Sequence, residues 1–255
     1  MLVGRLLEIV RAVAAPLGLN LIAATPSALY DAEAAPAMRA SSIDPACRSI
    51  IVAANGGGGF WREFKRHAER NPGWMERENP LDDFTRTAVE SRIAPVIREA
   101  GFRCIPAFPF MGGASLNFML LGRLAGIAGP SIIGVLVHPS FGPWIAFRAA
   151  LLVDAEVDEP GGAAGFNPCP SCATRSCIAA CPAAAVSFPA GWDIPRCLIH
   201  RIERQEQCES RCHARVDCVI GREHRYPEDE LAYHQERALR AMRPYYEARI
   251  RPHRT

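Results

Sequence analysis

The chain predicts an α/β (α+β) sandwich over residues 1–160, a small cysteine-rich module over 161–226, and a C-terminal helix and tail over 227–255. Three observations predict it. Helix-periodic and strand-like apolar stretches mix through the first part without a strict strand–helix–strand period, which favours a sheet with its faces covered by helices. Eight of the ten cysteines crowd between Cys169 and Cys218. Beyond them, Pro227 opens a stretch in which Leu231, Ala238, Leu239 and Met242 share one helical face, so 228–243 packs back on the body. Residues 161–165, glycine-rich, read as the linker.

Leu2, Leu6, Leu7, Ile9, Val10 and Val13 recur at helical spacing with Arg5, Glu8 and Arg11 between them, giving an amphipathic helix that stops near Pro16 and Gly18. Residues 19–24 form a short strand. Residues 25–42, rich in Ala and Pro, read as loop with one weak helix. Residues 47–55 (CRSIIVAAN) are a buried strand, an apolar run bounded by turn residues. Four glycines, 56–59, lead into a helix over 61–69. Asn79 and Pro80 start the next turn, and 81–100 reads as helix closed by Gly101. Residues 104–110 (CIPAFPF) are extended and Pro-interrupted, hence a sheet edge or loop wall. An apolar helix over 115–128 contains Arg123. Then come a strand over 132–137, a turn over 138–143, and a long strand over 144–157.

Composition limits the function classes. Hydrophobic residues make up 49% and charged residues 22%, as in ordinary globular chains. A net charge of +2 gives no case for a nucleic-acid or membrane field. Residues 1–16 carry Arg5, Glu8 and Arg11, so a signal peptide is not expected. The longest apolar run, 124–137, is shorter than the ~18 residues that suggest a membrane span, and Gly and Pro interrupt it. The expected setting is cytoplasmic and reducing, where thiols stay free for metal.

The cysteines carry the chemistry. Cys169, Cys172, Cys177, Cys181 and Pro182 read C-x2-C-x4-C-x3-C-P, and Cys197, Cys208, Cys212 and Cys218 follow. Eight thiolates match two 4Fe–4S clusters, each of which takes four. A C-x2-C turn brings two sulfurs to one side of a cluster. Cys177 and Cys181 lie one helical turn apart, and Pro182 ends that turn. In two-cluster ferredoxins the fourth cysteine of such a run serves the other cluster. On that logic Cys169, Cys172 and Cys177 share a cluster with Cys218, and Cys181 joins Cys197, Cys208 and Cys212. Zinc is the chief alternative, although C-x3-C-P has no zinc rationale. Disulfides need an oxidising compartment. The second set is loosely spaced and Val219, not Pro, follows Cys218, so one cluster with spare thiols also stays open.

Other residues invite a functional and a plain reading. Gly57 and Gly58, inside the glycine run, let a backbone approach a cofactor's phosphate or carboxylate. Without a G-x-G-x-x-G or a terminal Lys-Ser/Thr, a flexible turn is the plainer reading. His138 and Trp144 bracket a turn that forms a possible cofactor wall, along with 104–113; the plain reading of His138 is a satisfied turn histidine. His213 and His224 lie near enough to the cysteines to replace a ligand. Cys47 and Cys104 stand apart and read as small buried hydrophobes.

The order of parts resembles a known family. HPSFGPWIAFRAALLVDAEV (138–157), the cysteine run, Arg196-Cys197-Leu198-Ile199 and three further cysteines are similar to epoxyqueuosine reductase, a cobalamin-dependent enzyme with two 4Fe–4S clusters. The opening (7–27) and CRSIIVAA (47–54) resemble it too. The resemblance implies a corrinoid as electron acceptor, with a flavin or other small molecule as alternatives. It also implies an external donor of ferredoxin or flavodoxin type. Two departures stand against a full match. The proton-donating acid of that family has no counterpart in 106–113, and 126–131 replaces its Gly-Trp-Ile-Gly-Lys segment. The helical repeats of longer members are not expected, so neither is a tRNA platform. The implied protein is a diverged relative that keeps the redox module. A ferredoxin-like electron-transfer adaptor or redox sensor without its own substrate, and a zinc-stapled interaction domain, are the rival classes.

Overall fold

The sheet owes its place to two strands with no polar face. In the computed structural model, which describes residues 3–111 and 115–251, β1 (Leu21–Pro26), β2 (Ser49–Gly56), β3 (Cys104–Ala107) and β4 (Ile145–Val153) form one antiparallel sheet of order β1-β2-β4-β3. Every residue of β2 is buried, and so are Arg148 to Val153 of β4. Ile50, Ile51 and Val52 pair across Leu152, Leu151 and Ala150. β-branched side chains suit that pleated, doubly covered surface, and each fully buried one contributes about 1.5–3 kcal/mol. β3 lies at the edge, where Pro106 has no ladder N–H to lose.

The chain divides into two compact units, one comprising Met1–Gly129 with Ile145–Phe166, the other Pro130–Trp144 with Asn167–Thr255. In the first, helix Leu6–Ala14 buries Leu6, Leu7, Val10 and Ala14 as its periodicity requires. Gly18 then turns left-handed (φ 78°) so close to the next helix that a Cβ there would stand 2.5 Å from the Phe60 nitrogen. Helix Gly59–Arg70 buries Phe60, Trp61 and Phe64. Helix Pro80–Ala88 widens through Val89–Ile93 before resuming as Ala94–Glu99. Pro95 explains the widening, because it lacks an N–H for the preceding turn and its ring crowds a carbonyl.

Three expectations need correction. Residues 25–42 hold more than one weak helix, namely Ser27–Glu33 and Ala40–Ile43 with a 3-10 turn Pro36–Met38 between them. Tertiary bonding decides this: the buried Tyr30 hydroxyl donates to the Met38 carbonyl (2.9 Å) and accepts from the Asn117 amide (2.7 Å). The helix expected over 115–128 is only Phe118–Leu124, begun by an Asn117 side-chain cap. It stops because Gly126 turns left-handed against Gly161, whose oxygen would lie 2.6 Å from a Cβ. Residues 132–137 are not a strand. They bend through Gly134 (φ 79°), and the only pairing nearby is the bridge His138–Gly142.

The second unit is built from short pieces. A hairpin of β5 (Val186–Ser187) and β6 (Gly191–Trp192) leads into helix Ile194–Glu203. Helices Ser176–Ala180, Gln205–Cys208 and His213–Val216 carry or flank cysteines. Helix Glu228–Tyr245 starts after Pro227 with three acids in its first turn, which suits the positive end of the helix dipole. Its Leu239 packs with Leu198, Tyr246 and Ile250, and Met242 adds to that cluster. Among the described residues, no helix is long and apolar enough to cross a membrane.

Candidate metal centre

Local turns place each thiol. Cys169 and Cys172 close one turn, with the Cys172 amide donating to the Cys169 carbonyl (3.3 Å). Arg175 adopts φ 41°, an uncommon conformation for a side chain with a Cβ. That bend aims the Arg175 and Thr174 amides at the Cys172 sulfur. Cys177 sits in helix Ser176–Ala180, and Cys181 directly follows it. The Ala185 amide donates to the Cys181 sulfur at 3.4 Å. Asp193 caps helix Ile194–Glu203 by accepting from the Arg196 amide (2.9 Å), which sets Cys197 in the first turn. Cys208 ends helix Gln205–Cys208, Cys212 precedes helix His213–Val216, and Cys218 follows that helix.

The eight thiols fall into two fours. Cys169, Cys172, Cys177 and Cys218 line a single cavity, walled by Ile132, Ile133, Val137, Val219 and Ile220. Burial pushes the Cys177 thiol up to about 11, and the neighbouring Cys218, Cys169 and Cys172 add to it. Cys218 is raised by burial, opposed by the Ile220 amide, with Cys169 and Cys172 beside it. Cys172 is lowered, chiefly by the Arg175 amide, with the Thr174 hydroxyl and amide helping. The other four face one another. Cys208 is pushed up to about 11 by burial, then by Cys212, Cys197 and Cys181. Cys197 is raised by burial, with Cys212 and Cys181 adding and the Trp192 indole N–H opposing. In both groups, like charges at close range disfavour free thiolates unless a cation joins them.

No three His, Cys, Asp or Glu side chains among the described residues form a ready mononuclear metal site. The thiols surround a space without converging on one point.

The remaining candidates sort as follows. Cys104 is buried and Cys47 half-buried, with its thiol donating to the Ser49 carbonyl (3.3 Å). Burial pushes both up to about 11. The His213 Nε2 sits 2.7 Å from the Gln207 carbonyl, so its ring anchors the Cys208 loop. His224 stacks by Phe141 at 4.6 Å. His138 lies in the second unit, and its Nδ1 accepts from the Ser140 and Phe141 amides (3.0 and 3.1 Å). Its proton therefore resides on Nε2, which leaves no lone pair for a metal. Burial lowers its pKa, followed by the nearby His224.

Trp144, also in the second unit, is fully buried and offers no surface. Its ring meets Tyr226 at 5.5 Å and the Arg215 guanidinium at 5.0 Å. Gly57 (φ 68°) and Gly58 lie in the first unit, where the Asn55 side chain donates to the Gly57 carbonyl (3.2 Å). Gly112 and Gly113, the end of the expected 104–113 wall, fall outside the described residues.

Sequence reasoning missed Trp192, Gly134 and the apolar wall of Ile132, Ile133 and Val137. Their only signal is the Gly-Trp-Asp just before Cys197, which has no spacing rule of its own.

No protein-family model matches the chain, and no curated protein matches it by sequence. Solved structures do share its fold. Epoxyqueuosine reductase from Streptococcus thermophilus superposes with a TM-score of 0.51 at 13% identity, over 86% of this chain and 66% of that one. An epoxyqueuosine reductase bound to an epoxyqueuosine-modified tRNA-Tyr stem loop gives 0.54 at 14%, over 90% and 69%. A B12-trafficking protein, CblC, from C. elegans gives 0.57 at 13%, over 97% and 98%. The chain thus spans about two thirds of the reductase chains and nearly all of the trafficking protein. At such identities the likeness establishes the fold, and by fold this chain is a diverged relative of epoxyqueuosine reductase.

Proposed function

We propose that this protein is an iron–sulfur redox protein that binds two 4Fe–4S clusters. Cys169, Cys172, Cys177 and Cys218 hold one; Cys181, Cys197, Cys208 and Cys212 hold the other. The observation that carries the proposal is the crossing: Cys218, last in sequence, lines the cavity of the first three cysteines, whereas Cys181 faces the later ones. The donor set fits the group. Soft thiolates suit iron–sulfur clusters, and each of the four binds a different iron, so they ring a volume. Four ligands on one zinc would converge on a point. The clusters supply one-electron transfer; the chain positions them and tunes their potentials through burial and N–H···S bonds.

Electrons enter from an external donor of ferredoxin or flavodoxin type and pass to an acceptor held by the N-terminal unit. A corrinoid is the acceptor the fold favours, because both the reductase and the B12-trafficking protein share it. Gly57 and Gly58 are the positions proposed to approach it. A second reading, a ferredoxin-like carrier without its own substrate, is favoured by the acid-free 106–111 segment. Its composition gives no nucleic-acid field, yet one neighbour was solved with a tRNA stem loop, so that stem loop belongs in the binding test.

The test is anaerobic reconstitution with iron and sulfide, then electron paramagnetic resonance of the dithionite-reduced protein with and without added cobalamin. The proposal predicts two interacting cluster signals and re-oxidation of the clusters by the corrinoid. Clusters indifferent to any corrinoid select the carrier; protein that takes up no iron contradicts both.

A further inference from the structure

Trp192 joins the surroundings of both cysteine groups. Two elements fix it. On one side, β6 holds it opposite Val186, and the Asp193 amide donates to the Ala185 carbonyl at 2.8 Å. On the other, Asp193 caps the helix whose first turn carries Cys197, and the Cys197 amide donates to the Asp193 carbonyl at 3.0 Å. The indole N–H is directed at the Cys197 sulfur. The six-membered face of the ring lies on Gly134, where a Cβ would stand 2.2 Å from Cε3. Gly134 belongs to the 131–135 bend, whose Ile132 and Ile133 wall the first cavity. Trp192 also packs with Ile132 and Val186 in the cluster that includes Cys177, Cys181 and Cys212.

We propose that Trp192 is a positioning residue for the second cluster, its indole N–H donating to the Cys197 sulfur and raising that cluster's reduction potential, with Gly134 holding the ring in place. The inference rests on the cluster reading above. Hydrogen bonds to cluster sulfurs withdraw electron density and favour the reduced state. An indole is a donor only, so it serves this purpose in one orientation. The bare face of Gly134 permits that orientation, because any side chain there would push the ring aside. The consequence is an ordered pair, in which the second cluster accepts electrons at a higher potential than it would with an aliphatic residue at 192.

The test compares reconstituted wild-type protein with Trp192→Phe, which keeps most of the ring and loses the N–H. Each cluster's midpoint potential is followed by redox titration with electron paramagnetic resonance, with Cys208→Ser identifying the second cluster's signal. Trp192→Phe is expected to lower that one potential and leave the other in place at unchanged iron content. Gly134→Ala displaces the same ring from the opposite side and is expected to move the same potential the same way. It keeps the test decisive if Trp192→Phe fails to load iron. Potentials unmoved in the loaded variants, or both shifted equally, overturn the inference while leaving the clusters intact. Wild-type protein without iron overturns the cluster reading and this inference together.

Discussion

Cys181 belongs to the first cysteine run by sequence and to the second group by position. Replacing it with Ala should cost about half of about eight irons per chain and perturb the cluster of Cys197, Cys208 and Cys212. Iron lost instead from the group of Cys169 and Cys172 would show the crossing to be wrong. Cys47 and Cys104 behave differently. Burial holds both thiols up to about 11, against an ordinary value of 9.0, so they are protonated and unreactive near neutrality. Native alkylation at pH 8 should leave both unmodified in cluster-loaded protein. Their folded pKa lies above the unfolded one, so the stabilisation they give is complete below pH 9 and drains away as pH climbs through about 11. A urea midpoint that holds steady across that alkaline range would contradict the burial argument. The cysteine ligands were legible in the sequence because cluster chemistry limits their spacing. Trp192 was not, since one N–H aimed at a sulfur needs no fixed interval. His138 and Trp144 looked like cofactor residues only because turn histidines and tryptophans are chemically versatile; the ring nitrogen of one serves its own turn, and the other is buried.

At the scale of elements, two glycines bring separate segments of the second unit together. A Cβ on Gly142 would stand 1.9 Å from the Ile220 oxygen, and one on Gly221 would stand 2.3 Å from the Phe141 carbonyl carbon. Such contact fixes the segment that follows Cys218. Gly142→Ala should therefore push that segment away, destabilise the fold by about 1–3 kcal/mol, and release iron from the first cluster before the second. Equal loss from both clusters, seen by resonance signals during chelator challenge, would contradict the local account. Apolar periodicity revealed β2 and helix Leu6–Ala14, whose buried faces follow directly from their spacing. The same reasoning failed at 132–137. That run is as apolar as a strand, but its side chains wall a cavity and Gly134 bends it around Trp192. An apolar run shows that a segment is buried without showing against what.

For the whole molecule, an antiparallel sheet with an all-apolar centre and a separate cysteine-bearing unit place this chain in the fold of epoxyqueuosine reductase and of a B12-trafficking protein. The sandwich was readable from alternating element types. The grouping of Pro130–Trp144 with the cysteine-bearing unit was not, because backbone contacts between glycines distant in sequence leave no pattern to read. The most direct measurement is metal and acid-labile sulfide content of protein purified without oxygen. The account predicts about eight irons and about eight sulfides per chain. Protein that carries zinc, or neither iron nor sulfide, would contradict it.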